Sequence, residues 1–533
     1  MIIPAIKNIK ETGAFINAPE KITCSYKGEF AKRGAEVFAS FTDAEIADDG
    51  FVEFILDTAL EDKDEIYAAK LTSDKIVVRF RDLRGAVNGA ATIALLLRKK
   101  EIPECEILDY PTAAYRSFMI DMARGLPTDE DIKNAIFHMA LAKYNKVHLH
   151  LIDSKGPCYK SMVHPEYRYT GKSEQCTLEY LTKLEEYCDF YGIEVIPEIE
   201  IPAHARALCT AHPEFKCAVD DAQDWTLCSG NEEVYPFFES LIKEIAETFP
   251  KSKYIHIGSD ELEFLDLTPP RICHWNDCPT CKALREREGL ADRQAQFYYM
   301  IERIHSFVKA HGKKMMMWND QIDISKDVPL SRDIVIEFWR IAGKGRGPVD
   351  GCTFNKFLEK GFTVINAWYP FTYVDLVYRD PESEMTVPTS IRTWTPLNTP
   401  RQNVKYANQV IGGEACAWEF GNYKSYPYYA YTALPSIAIY GTKFWNYEDV
   451  DFNGEDYRRA LSEFVFGDDS YTDVFDCVGS SLPPRSNFYY TYVKEIDTEK
   501  INACIEKLKA NTYKTSGKRF IALLEKILEN AKQ

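Results

Sequence analysis

The chain has 533 residues, and its 64 Lys plus Arg against 81 Asp plus Glu leave a net charge of −17. That length predicts two to four domains. The acidic balance, with no basic stripe to offset it, excludes a nucleic-acid backbone as partner, and no apolar run reaches the ~20 residues of a membrane-spanning helix. Hydrophobic residues make up 45% of the chain, enough for a sizeable core. The opening Met1-Ile2-Ile3-Pro4-Ala5-Ile6-Lys7 lacks a basic start, a long apolar stretch and a small-residue cleavage site, so no secretory signal is expected. The 15 scattered cysteines then predict reduced thiols in a cytoplasmic protein. All eight tryptophans lie between Trp225 and Trp445. Indole serves equally in a large core or against the apolar face of a sugar.

Residues 1–110 carry alternating stretches at 51–56 and 75–80, followed by a helix-like segment at 89–97. This predicts a small N-terminal α/β domain, with a boundary at Asp109-Tyr110-Pro111, where proline disfavours continuing either element. From Ser117 the rhythm becomes short apolar strands alternating with amphipathic helices, the pattern of a parallel sheet. Strands are expected at 117–121, 147–151, 193–197, 254–257, 314–318, 334–338, 362–366 and 409–412. Gly192, Gly312 and Gly361 each end a helix before a strand. Eight strands over about 300 residues, without a Gly-rich dinucleotide fingerprint, fit a (β/α)8 TIM barrel over 111–446 better than an open doubly wound sheet. The remainder, 447–533, predicts a helical C-terminal extension, with helical spacing at 457–466, 501–509 and 519–528.

Barrel enzymes hold their chemistry at the C-terminal ends of the strands, and polar residues crowd those ends here. They include Asp121 and Arg124; His148, His150 and Asp153; Glu198, Glu200 and His204; Asp260 and Glu261; Trp318, Asn319 and Asp320; Tyr373 and Asp375; and Glu414, Trp418 and Glu419. Asp260-Glu261 is the most informative pair. Adjacent carboxylates repel, so one pKa rises. Consecutive strand residues point to opposite faces, but the Gly258-Ser259 break lets both reach one cleft. A protonated Glu beside an ionised Asp suits glycoside hydrolysis; a solvated acidic turn is the plain alternative.

These residues resemble glycoside hydrolase family 20, the β-N-acetylhexosaminidases. His256-Ile257-Gly258-Ser259-Asp260-Glu261 is similar to the family's His-x-Gly-Gly-Asp-Glu signature. The segments 116–124, 145–153 and 196–204, Met317-Trp318, Tyr373-Val374-Asp375 and 412–418 resemble further family strands in the right order, so the likeness covers about residues 80–420. The resemblance implies a retaining, substrate-assisted hydrolysis of terminal β-linked N-acetylhexosamine, GlcNAc or GalNAc, from glycans. The substrate's 2-acetamido oxygen attacks C1 to form an oxazolinium ion. It implies Asp260 on the acetamido N–H, Glu261 as general acid and base, and Tyr373 on the acetamido carbonyl. Trp318, Trp394 and Trp418 would box the acetamido methyl and the ring, while Arg124 and Asp153 would hold sugar hydroxyls; His204, Asp375 and Glu419 are further candidate substrate contacts. No cofactor is required.

Three departures stand out: Ser259 for the second glycine, Glu200 and Ala203 for the Asp and Gly before His204, and Phe420 where Trp-x-Glu would put a glutamate. The last bears on sugar choice, because that glutamate contacts the 4- and 6-hydroxyls in the family. Glu419 could substitute for it, or the enzyme could take a substituted sugar or longer glycan. Separately, Cys273, Cys278 and Cys281, with a Cys-x2-Cys pair and His274 adjacent, could hold a structural zinc. The fourth ligand would be His274 or a more distant residue. Free thiols are the alternative. Two other readings stay open: a metal-dependent barrel hydrolase built on His148-x-His150, and a non-catalytic sugar-binding protein.

Overall fold

The computed structural model describes residues 2–99, 101–169, 176–265, 267–341 and 353–374. It further describes 394–399, 402–403, 406–418, 420, 434–447, 455–466 and 498–511, with a few single positions up to 529. Asp375, Glu419 and most of the helix expected at 519–528 lie outside the described residues.

The N-terminal strands are short and half-alternating, which suits a sheet covered on one face. Seven of them form it: β1 (Asn8–Ile16), β2 (Thr23–Lys27), β3 (Glu45–Ile46), β4 (Val52–Leu56), β5 (Tyr67–Leu71), β6 (Ile76–Phe80) and β7 (Ile102–Asp109). Their order is β1-β7-β5-β6-β4-β2-β3. Helices α1 (Ala31–Thr42) and α2 (Leu83–Leu96) pack on it and on each other. Asp82 caps α2 by accepting from the Gly85 N–H at 2.7 Å.

The eight expected strands close into a parallel barrel. They are β8 (Tyr115–Asp121), β9 (Lys146–His150), β10 (Glu194–Glu198), β11 (Tyr254–His256), β12 (Lys314–Trp318), β13 (Val335–Phe338), β14 (Thr363–Asn366) and β15 (Val410–Ala417). They are buried along most of their length, as parallel strands covered by helices must be. Register aligns their C-terminal ends: Asp121 pairs with His150, His150 with Glu198, and Glu198 with His256. Polar residues from distant parts of the chain therefore meet in one row.

Buried polar contacts join the N-terminal sheet to the barrel. Glu65 pairs with Arg116 and accepts from Asn145 Nδ2 at 2.9 Å. Asp109 accepts from Lys143 Nζ at 2.9 Å, from Tyr67 Oη at 2.7 Å and from Trp445 Nε1 at 3.1 Å. Trp445 belongs to the helix Leu434–Asn446, which packs beside β8. Among the described residues the helices Glu455–Phe466 and Thr498–Asn511 follow. Arg98 donates to the Glu463 and Phe464 carbonyls and so holds the first of them to the N-terminal sheet domain.

Candidate active site

Strand β11 is only three residues long, and the chain then turns sharply. Gly258, Ser259 and Glu261 all have positive φ, at 64°, 71° and 49°. Left-handed backbone at two non-glycine residues is strained and persists only where its surroundings hold it. Here the holding groups are visible. The Ser259 hydroxyl donates to the Ile201 carbonyl at 2.6 Å. The Glu261 N–H donates to Asp320 Oδ2 at 3.1 Å, and Trp225 Nε1 donates to the Glu261 carbonyl at 2.7 Å. Gly258 sits close against Glu200: a Cβ there would lie 2.3 Å from a carboxylate oxygen, so that side chain would have to move.

This turn brings both carboxylates of the Asp260-Glu261 pair to His204. Its Nε2 lies 3.7 Å from Asp260 and 3.8 Å from Glu261, and its Nδ1 lies 3.1 Å from Asp153. Burial and the neighbouring Asp260 carboxylate push Glu261 up to about 7, outweighing the opposing pull of His204. Burial opposes charge on His204, yet Asp153 and Asp260 push it up to about 10, so it is an imidazolium. Burial would raise Asp153 too. Arg124, 2.7 Å away, and His204 instead hold it well below the usual carboxylate range. Arg124 also bonds Asp121 at 3.0 Å and lies over the Trp418 ring at 4.9 Å. Burial and Asp260 push Asp320 up to about 6.

Beside these charges stands an aromatic wall. Met119, Trp318, Trp339, Ala367, Tyr373 and Cys416 form one apolar cluster, with Trp418 packed against it. Trp339 and Tyr373 stack with planes 8° apart. Trp418 lies 5.6 Å from Tyr373 and 6.1 Å from Trp318. Trp339 Nε1 donates to Asp320 Oδ1 at 3.2 Å. One carboxylate thus fixes both the indole and the backbone of Glu261.

Trp394 takes a different place from the one expected of it. It is buried among Tyr440 and Phe444, in the main core, and not in the cluster of Trp318, Tyr373 and Trp418. Trp339, absent from the sequence expectation, fills the wall instead. Its signal was its position, one residue past β13, the same place that marks polar residues at the other strands.

Beneath the turn, His148 Nδ1 lies 2.8 Å from Glu414 and its Nε2 3.2 Å from Glu198. His150 bonds Glu198 and faces Asp153 at 3.3 Å. Glu198 accepts from Trp318 Nε1 at 2.8 Å. The histidine pair read as a metal motif therefore turns all four ring nitrogens to carboxylates. Phe420 is buried in the main core. The cysteine expectation needs correction in its ligands. Cys273 is not part of the sulfur cluster, which instead joins Cys278 and Cys281 to Cys217 and Cys228. The latter two come from the loop after β10, which spacing within 273–281 cannot reveal.

Residues 114–446 match the glycosyl hydrolase family 20 catalytic domain. The chain is 26% identical over 425 residues to a beta-hexosaminidase of Porphyromonas gingivalis, covering 72% of this chain and 51% of the relative. It is 30% identical over 260 residues to a beta-hexosaminidase of Akkermansia muciniphila, covering 44% and 51%. The chain thus spans about half the length of these two relatives. Over 413 residues it is 25% identical to the mouse (Mus musculus) beta-hexosaminidase subunit beta, covering 74% and 72%. Among solved structures, the GH20 exo beta-N-acetylglucosaminidase of Vibrio harveyi superposes with a TM-score of 0.72 at 21% identity, over 86% of this chain and 76% of that one. The beta-N-acetylhexosaminidase of Bacteroides fragilis does so at 0.70 and 21%, over 87% and 94%. These likenesses show the same barrel fold. With a family match over more than half its length, and the Asp-Glu turn standing at the mouth of that barrel, the chain belongs to glycosyl hydrolase family 20.

Proposed function

We propose that this protein hydrolyses terminal β-linked N-acetylhexosamine by substrate-assisted catalysis. The observation that carries this reading is Glu261, pushed up to about 7 beside Asp260, at the edge of the Trp318–Trp339–Tyr373–Trp418 wall. A carboxylic acid protonated near neutrality is the group that can protonate a leaving glycosidic oxygen. Family 20 belongs to the substrate-assisted exceptions to the two-carboxylate retaining scheme.

In the proposed reaction the acetamido carbonyl oxygen forms a bond to C1 as the C1–O bond breaks. The leaving oxygen takes the proton of Glu261. Asp260 accepts a hydrogen bond from the acetamido N–H, so the charge of the oxazolinium ion develops beside a carboxylate. Tyr373 donates to the carbonyl oxygen and orients it. The indoles hold the methyl group and exclude water. Glu261, now ionised, takes a proton from the water that attacks C1, and the ring reopens with retention. Arg124 and Asp153 hold sugar hydroxyls, His204 keeps the carboxylates in place, Asp375 contacts the sugar, and Glu419 substitutes for the glutamate that Phe420 replaces. No cofactor enters these steps. With Phe420 in the core, the sugar's 4- and 6-hydroxyls meet a different partner here.

A panel of aryl glycosides tests this: β-GlcNAc, β-GalNAc, 6-substituted forms and the free amine. N-acetylated sugars should turn over, and a thiazoline mimic of the cyclised intermediate should inhibit. Cleavage of sugars lacking the 2-acetamido group, with no thiazoline inhibition, refutes the mechanism.

A further inference from the structure

Four cysteines outside the reaction site converge from two separated stretches of chain. Cys217 and Cys228 bracket the loop after the short helix Arg206–Ala211 and the turn that follows it. Cys278 is the N-cap of the helix Pro279–Glu288, and Cys281 lies in its first turn. All four are buried, and their sulfurs lie within 4.8 Å of one another. The Cys228 sulfur is 3.7 Å from that of Cys278 and 3.6 Å from that of Cys281. Zinc bonds thiolates at about 2.3 Å in a tetrahedron, which places sulfurs about 3.8 Å apart. A disulfide needs about 2.05 Å and could join only two of the four. The Ala218 N–H points at the Cys278 sulfur from 3.3 Å, a donor that favours thiolate over thiol. Cys273 stays outside this group.

We propose that Cys217, Cys228, Cys278 and Cys281 bind one structural zinc ion as a tetrathiolate, and that this metal clamps the loop that supports the Glu261 turn. The loop between Cys217 and Cys228 carries Trp225 and Thr226. Trp225 donates to the Glu261 carbonyl, and the Thr226 hydroxyl donates to the Leu262 carbonyl at 2.7 Å. Trp225 also lies against His204 at 4.4 Å. Trp275, between Cys273 and Cys278, donates to the Leu227 carbonyl at 2.6 Å. The metal would therefore tie the loop that holds the Glu261 carbonyl to the segment that holds that loop through Leu227. Trp225 is a positioning residue here, acting through the main chain of the turn.

The metal content of the purified full chain tests the site. Protein expressed with zinc should carry one zinc per chain by elemental analysis. Cys217→Ser and Cys281→Ser should each lose it, while Cys273→Ser keeps it. Because a cysteine variant can fail to fold, cobalt exchange into the unmutated protein gives a second reading. It should show the ligand-field and charge-transfer bands of a tetrahedral tetrathiolate. Chelation should lower kcat by about 10- to 100-fold through a misplaced Glu261, with a smaller change in KM. That last effect rests on the proposed role of Glu261, whereas the metal count does not. A chain purified without zinc, a mapped disulfide within the four, or equal metal loss in Cys273→Ser overturns the proposal.

Discussion

Replacing Glu261 with glutamine should make the protein more stable and inactive at once. The ordinary carboxyl value is 4.5, and desolvation in the half-buried site together with Asp260 pushes Glu261 up to about 7. At about 1.4 kcal/mol per pH unit, that gap corresponds to about 3 kcal/mol. Its sign follows from proton counts. Between 4.5 and 7 the folded protein holds a proton that the unfolded chain has released, so stability falls as pH rises through this window. Above 7 the full cost of an ionised Glu261 in this half-buried site is present. Glutamine has no charge to bury and escapes it. Glu261→Gln should therefore be more stable than the parent by about 3 kcal/mol at pH 8, but by under about 1 kcal/mol at pH 5. With roughly 330 residues in the barrel unit and about 2.1 cal/mol/K of unfolding entropy per residue, the gain at pH 8 is about 4 °C in Tm. Calorimetry of both proteins at the two pH values measures it. Aryl N-acetylglucosaminide hydrolysis should fall at least about 100-fold. A variant destabilised at pH 8, or stabilised equally at pH 5 and pH 8, refutes the claim that Glu261 is held protonated by its burial and by Asp260.

Other expectations come from the same contacts. Asp320 raises Glu261, so Asp320→Asn should move the alkaline limb of kcat/KM, near 7 in the parent, to lower pH; an unmoved limb removes Asp320 from this role. Trp339→Ala should cost about 2 kcal/mol of transition-state binding, roughly 30-fold in kcat/KM, whereas Trp394→Phe should leave kcat/KM within a few-fold; reversal of that order would restore Trp394 to the sugar wall. His204 is raised to about 10 by Asp153 and Asp260, so its stabilisation is complete below about 6.5 and lost as pH rises toward 10. His204→Gln should accordingly destabilise more at pH 6 than at pH 10 in urea unfolding. Lys143 and Asp109 are wholly buried and 2.9 Å apart; Lys143→Met should cost about 3 kcal/mol by stranding the carboxylate, and a loss under about 1 kcal/mol would show that Tyr67 and Trp445 suffice for Asp109.

What was legible in the residues depended on how far apart in the chain the interacting groups lie. All eight barrel strands fall within a few residues of their expected ranges, because apolar runs and helix-ending glycines are local signals. Asp260 and Glu261 were legible for the same reason: a short apolar run at 254–257 followed by Gly258 and Ser259 announces a break. The aromatic wall was legible only in part. Trp318 ends β12 and Trp418 directly follows β15, but Trp339 reaches the wall through its stack on Tyr373 and its bond to Asp320. Those contacts exist only once β12, β13 and the segment after β14 are neighbours. Trp394 lies in sequence near the other site residues and still packs against the helix Leu434–Asn446, since proximity in sequence says nothing about which side of a strand a loop returns to. The cysteines make the same point more sharply. Cys278 and Cys281 sit in one helical turn, so their pairing was visible. Cys273 is equally near in sequence, but the intervening turn His274–Asn276 leaves it outside the sulfur cluster. Cys217 and Cys228, about 50 to 60 residues upstream, replace it because the loop that holds Trp225 on Glu261 folds back over that helix. The backbone path that lays the loop over the acid turn is thus the same path that brings the four sulfurs together.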